Sequence, residues 1–144
     1  WLDSGIVNYP RAVSGGYVFQ HETGFNDDGS PMTNVFIESS DFDLGDGQDF
    51  AFLQKIIPDF KFLQNDNSGN VNIVVKTRNF PGDSLTVDST SAIAANTQQA
   101  FVRSRARQIV LRFESDDDAT ADGNLSIGWR LGATRIDVKP DGRR

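Results

Sequence analysis

Cysteine is absent from the 144 residues. Disulfides, thiolate metal sites and a cysteine nucleophile are therefore all excluded. Histidine occurs once, as His21, and position 25 is Phe. A zinc-protease helix needs a second histidine one turn later, so His21 reads as an ordinary strand residue. A single histidine beside a segment boundary also leaves little room for a Ser-His-acid triad. No apolar run approaches the length of about 18 residues that would span a bilayer. Helical periodicity is lacking too: Ser91 to Gln99 is the best stretch, and its small polar content suits a loop or short strand better. Without a helix, no glycine loop can present phosphate to a helix start. The chain opens on Trp1 without a charged-then-apolar leader. It reads as the C-terminal part of a longer protein, or the ordered part of one.

What is present is alternation of period two. Val71, Ile73 and Val75 alternate with Asn72, Val74 and Lys76, and Ile109, Leu111 and Phe113 with Val110, Arg112 and Glu114. Leu125, Ile127, Trp129 and Leu131 repeat the pattern. Successive strand side chains point to opposite faces, so each apolar set marks a core side. Asp28-Gly29, Asp46-Gly47, Asp122-Gly123, Asp141-Gly142 and Pro81-Gly82 supply reversals between strands. These features predict an all-β fold, an antiparallel β-sandwich of jelly-roll-like kind. The sandwich is expected over residues 32–144. Residues 1–31, rich in glycine and poor in alternation, are expected to be the end of a preceding β domain plus a linker.

The alternation slips in two places, and a proline interrupts it in a third. Apolar parity is odd through Trp129 and Leu131 and even at Ile136 and Val138, which predicts a bulge at Gly132-Ala133-Thr134. Trp129, Leu131 and Ile136 are the expected core residues around it. Arg103, Arg105 and Arg107 share parity with Ile109, Leu111 and Phe113. Arginines do not line a core face, so a bulge or bend near Arg107-Gln108 is expected to turn them outward, unless a single long strand overhangs the sandwich. Pro58 divides Phe50–Leu53 from Phe60–Phe62 and predicts two short strands or a kinked edge strand.

Charge is uneven. Residues 1–100 hold 5 basic and 13 acidic side chains, and residues 101–144 hold 9 and 7. A nucleic-acid binder shows a dominant positive face, and here acidic residues stud the basic third, so pairing of opposite charges is the preferred reading. The arginine run is either an edge that resists aggregation or a subunit interface, with Arg103, Arg105 and Arg107 meeting Asp41, Asp43 and Asp46 of a neighbour. Asp66–Asn70 and Asp116–Gly123 gather oxygens as calcium would require, yet neither has the glutamate an EF-hand loop needs at its twelfth position. Solvated acidic turns fit better. No metal or other cofactor is expected. The 20 acidic residues give no recognisable general acid–base pair. Asn124-Leu125-Ser126 is a glycosylation sequon that matters only in a eukaryotic secretory setting.

An ordered set of segments carries a further signal. It runs through Tyr17–Glu22, Ile37–Gly47, Ile56–Phe60, Phe80–Asp83, Arg105–Gln108, Trp129–Gly132, Arg135–Val138 and Pro140–Arg143. Over most of residues 17–144 this set resembles the C-terminal region of tailed-bacteriophage tail structural proteins, of the tail-tube or nozzle kind. The resemblance implies a non-enzymatic virion protein. It implies a homo-oligomeric ring, hexameric in short-tailed phages, that meets other tail and connector proteins and passes DNA as passive cargo. It also implies that residues 1–31 close a β-propeller, with Trp1–Asp3 and Tyr17–Phe19 as strands. The long turn from Glu114 to Asn124 departs from that pattern. Two rivals are a carbohydrate-binding sandwich using Trp1, Tyr9, Tyr17 and Phe25, and a glycan-degrading enzyme using two carboxylates.

Overall fold

The computed structural model describes residues 1–3, 5, 8–23, 26–27, 30–31, 34–63, 70–116 and 128–143. Among the described residues there is no helix, and the fold is an antiparallel β-sandwich.

The N-terminal part is a small hairpin. β1 (Arg11–Ser14) pairs with β2 (Tyr17–Gln20) through the two-residue turn Gly15-Gly16. Both glycines have positive φ, 57° and 84°, as this tight hairpin turn demands. Leu2 bridges to Arg11, and the His21 amide donates to the Pro10 carbonyl. A two-residue pairing follows, β3 (Asn26–Asp27) with β4 (Ser30–Pro31).

The sandwich has two layers. The first is ordered β5 (Phe36–Glu38), β11 (Gln108–Ser115), β8 (Val71–Arg78), β9 (Thr86–Ile93). The second is ordered β10 (Ala100–Ala106), β6 (Ala51–Ile57), β13 (Arg135–Pro140). It is prolonged by β7 (Phe60–Phe62) paired with β12 (Trp129–Leu131). One core lies between the layers. Val71, Ile73, Val75, Ile109, Leu111 and Phe113 come from the first layer, and Leu53, Ile56 and Val102 from the second. Burying each such side chain contributes about 1.5–3 kcal/mol, which is why the alternation was so clean in sequence.

The parity slips mark how the chain turns between and within layers. β10 runs buried–exposed throughout, with Ala100, Val102, Ser104 and Ala106 inward and Arg103 and Arg105 outward. Arg107 then separates β10 from β11, and those strands belong to different layers. The slip at Arg107 is thus a sandwich corner. The bulge expected at Gly132-Ala133-Thr134 is instead a break between strands, because residues 132–134 separate β12 from β13 and the register shift falls later, between Asp137 and Val138; Pro58-Asp59 likewise separate β6 from β7. The two breaks face each other: Gly132 donates its amide to the Asp59 carbonyl at 2.7 Å, and Ala133 donates to Asp59 Oδ2 at 2.9 Å. A Cβ on Gly132 would overlap the Asp59 carboxylate, which would have to swing away and give up its bond to Ala133.

One expected core residue is corrected. Ile136 lies opposite the fully buried Ile56 but is 40% exposed. β13 is the edge strand of its layer, so its inward side chains are covered from one side only. Trp129 and Leu131 do pack against the core, half-buried. Trp129 lies edge-on to Phe60 at 5.6 Å and donates its indole N–H to Ser115 Oγ at 2.9 Å. Leu125, Ile127 and the turns Asp28-Gly29 and Asp122-Gly123 lie outside the described residues.

Candidate functional site

No group of three or more potential metal ligands is found among the described residues. The two calcium-like loops lie there only at Asn70 and Asp116. Among the described residues no helix is long and apolar enough to cross a membrane. The features that stand out are the outward faces of the two layers.

The first layer's outward face is a closed ionic lattice. Register places Arg112 of β11 between Glu38 of β5 and Val74 of β8, and Val110 opposite Lys76. Lys76 Nζ donates to Glu38 Oε2 at 2.6 Å, and Arg112 reaches the same oxygen at 3.5 Å. Arg112 Nε donates to Glu114 at 2.5 Å, and its guanidinium lies 3.6 Å from the centre of the Phe36 ring. Arg78 pairs with Asp41 and donates to Gln108. Three cations meet three carboxylates. The Lys76 hydrogen bond, reinforced by Arg112, holds the Glu38 carboxyl below the usual carboxylate range, with burial acting against it. Arg112 is held above its ordinary value, chiefly by the bond to Glu114. Val74 and Val110 are buried on this outward side. The aliphatic stems of Lys76 and Arg112 are placed by register to cover them.

The second layer is different. Its outward positions follow from cross-strand partners: Arg105, Phe52 and Lys139 form one row, Phe101, Lys55 and Asp137 another. Ile57 faces Arg135, and Lys61 faces Arg130 directly. Arg103 lies outward between the first two rows. These outward residues include seven of the chain's 14 basic side chains. Against them stand Asp137, Asp141 and, at the bend, Asp59. The balance is +4 on a chain of net −6, which leaves −10 elsewhere. Asp141 is engaged by Arg105, and Asp137 lies 3.9 Å from Lys55. No ion pair joins Lys61, Arg103, Arg130 or Arg135 to a described residue. Lys61 and Arg130 are like charges directly opposite on neighbouring strands, an arrangement that opposes pairing. Phe101 protrudes from the same face, 67% exposed.

The residues expected at a subunit interface are distributed as follows. Arg103 and Arg105 belong to this basic face, and Arg105 also stacks 4.0 Å from the Phe50 ring. Arg107 sits at the corner between Phe50 and Phe80, with ring centres 5.3 and 5.5 Å away. Asp41 is taken by Arg78. Asp46 accepts the Gln48 amide within a turn, and the Asp43 carboxylate lies beside Gly47. Lys61 and Arg130 were not anticipated. Each is the middle residue of an apolar–basic–apolar triplet, which assigns its face, but nothing in either triplet reveals that they pair.

The apolar side chains of the N-terminal hairpin are also outward. Trp1 is 78% and Tyr17 71% exposed, and Val13 and Val18 face each other in the open. Trp1 lies tilted against His21, ring centres 5.0 Å apart. Phe25 lies outside the described residues.

Scanning against protein-family models finds no match to this chain, and a search of curated proteins finds none either.

Proposed function

We propose that this chain is a structural component of a bacteriophage tail, of the nozzle or tube kind, that works by self-assembly. It has no catalytic role in this reading. Copies join in a ring, with other tail proteins above or below, and DNA passes through as passive cargo. The ordered segments from Tyr17 to Arg143 support this, and the structure adds one observation that carries it. The hairpin at residues 11–20 exposes apolar side chains on both faces: Val13 and Val18 on one, Tyr17 and Phe19 on the other. An isolated two-stranded hairpin is marginal in water, and contiguous exposed apolar surface marks a place for a partner. Such a hairpin suits an assembly in which neighbouring β structure covers it.

Light scattering of the chain across concentration, at low and high salt, tests the reading. The expected result is a discrete assembly of several copies. A monomer under every condition would overturn it. The second reading, a glycan-binding module, draws on Trp1 and Tyr17 as an exposed aromatic platform. Glycan-array binding that disappears in Trp1→Ala and Tyr17→Ala would favour it.

A further inference from the structure

We propose that the outward face of the second layer docks a second copy of this chain, receiving its acidic β8–β9 turn and β9 edge in a head-to-tail contact. The proposal rests on the self-assembly reading above and specifies which surfaces meet. The basic face cannot pair with itself, because an isologous contact would set its unpaired cations against one another. It needs an anionic partner, and the rest of the same chain supplies one. Asp83 and Asp88 are exposed and join no described ion pair. They sit among exposed Phe80, Leu85 and Val87. The basic face offers the matching combination, Arg103, Lys61 and Arg130 around exposed Phe101 and Ile57. An apolar centre with complementary charges around it is the usual anatomy of a specific interface. The two surfaces differ, so the contact is heterologous, and repetition closes a ring or runs on as a filament.

Charge exchange followed by sedimentation velocity at low salt tests this. Lys61→Glu with Arg130→Glu makes the face acidic, and Asp83→Lys with Asp88→Lys makes the edge basic. Each double variant alone should associate at least about tenfold more weakly, roughly 1.4 kcal/mol. An equimolar mixture should regain association, because the acidic face of one variant now meets the basic edge of the other. Circular dichroism melts establish that both fold; if the first does not, Arg103→Glu with Arg135→Glu replaces it. Wild-type association that survives face reversal would overturn the inference and leave the assembly reading standing. A wild-type chain that never associates sinks both. Retention of a labelled DNA duplex that is lost on face reversal, with self-association untouched, would overturn it in favour of a polyanion partner.

Discussion

The two outward faces of this sandwich share one core yet treat charge in opposite ways. On the β5–β11–β8–β9 face, Lys76, Arg78 and Arg112 each find a carboxylate within the chain, and register sets Lys76 and Arg112 beside two buried valines. On the β10–β6–β13 face, four cations have no described ionic partner and two of them oppose each other. The first arrangement is finished within one molecule. The second is left open, with like charges facing each other across β7 and β12. A polar surface therefore has two uses: it can solvate a layer and stabilise it, or hold charge in reserve at some cost in stability.

The widest separation between the faces should appear on truncating one arginine from each. Arg112→Ala removes the bonds to Glu38 and Glu114, the contact with Phe36 and part of the cover over Val74 and Val110. It should cost about 2 kcal/mol, since lost packing adds to lost pairing. Arg130→Ala removes an unpaired cation from an exposed site and should change stability by less than about 0.5 kcal/mol. Urea denaturation of both variants measures the difference. Equal losses would mean that the two faces are not distinct in energy.

Much of the fold could be read before the structure, because burial writes parity directly into a strand. Alternation located β8 and β11, its two slips located the corner at Arg107 and the bend at Gly132, and Pro58 marked the break between β6 and β7. What parity cannot give is pairing between distant strands. It gave no sign that Lys61 and Arg130 oppose each other, and it placed Ile136 inward without showing that β13 is an edge. The acidic set fared differently. Asp41 was expected at a subunit interface, and within the chain it pairs with Arg78. The Gly132 bend offers the next prediction. Gly132→Ala should destabilise by about 1–2 kcal/mol, because the Asp59 carboxylate must yield and its bond to Ala133 is lost. Asp59→Ala should lose a similar amount, and the double variant less than their sum, as measured in a double-mutant cycle.

The ionic lattice also makes its face pH-sensitive. Glu38 has its pKa lowered in the folded chain, so its contribution is present above the unfolded carboxylate pKa and is lost as pH falls through the lower folded value. Glu38→Gln should cost about 1 kcal/mol at neutral pH, given a partly exposed pair reinforced by a second cation. The gap between wild type and variant should close on acidification. Stability curves run from neutral pH downward check it. A gap that stays constant with pH would assign the loss to packing.

The smallest effect has the opposite sign. Lys61→Glu on the open face replaces a like-charge pair with an attractive one across β7 and β12. It should stabilise the isolated chain by about 0.5 kcal/mol at low salt, and the gain should fade as salt screens the pair. Urea denaturation at two salt concentrations, under dilution that keeps the chain dissociated, isolates this term. The same substitution should weaken self-association, because it removes a cation from the proposed docking face. A variant that is more stable alone and less able to assemble would show that Lys61 and Arg130 hold a charge whose benefit comes only in contact. If it were less stable alone, the repulsion across β7 and β12 would be absent, with the Lys61 stem contributing packing instead, and the contrast between the two faces would lose its energetic basis.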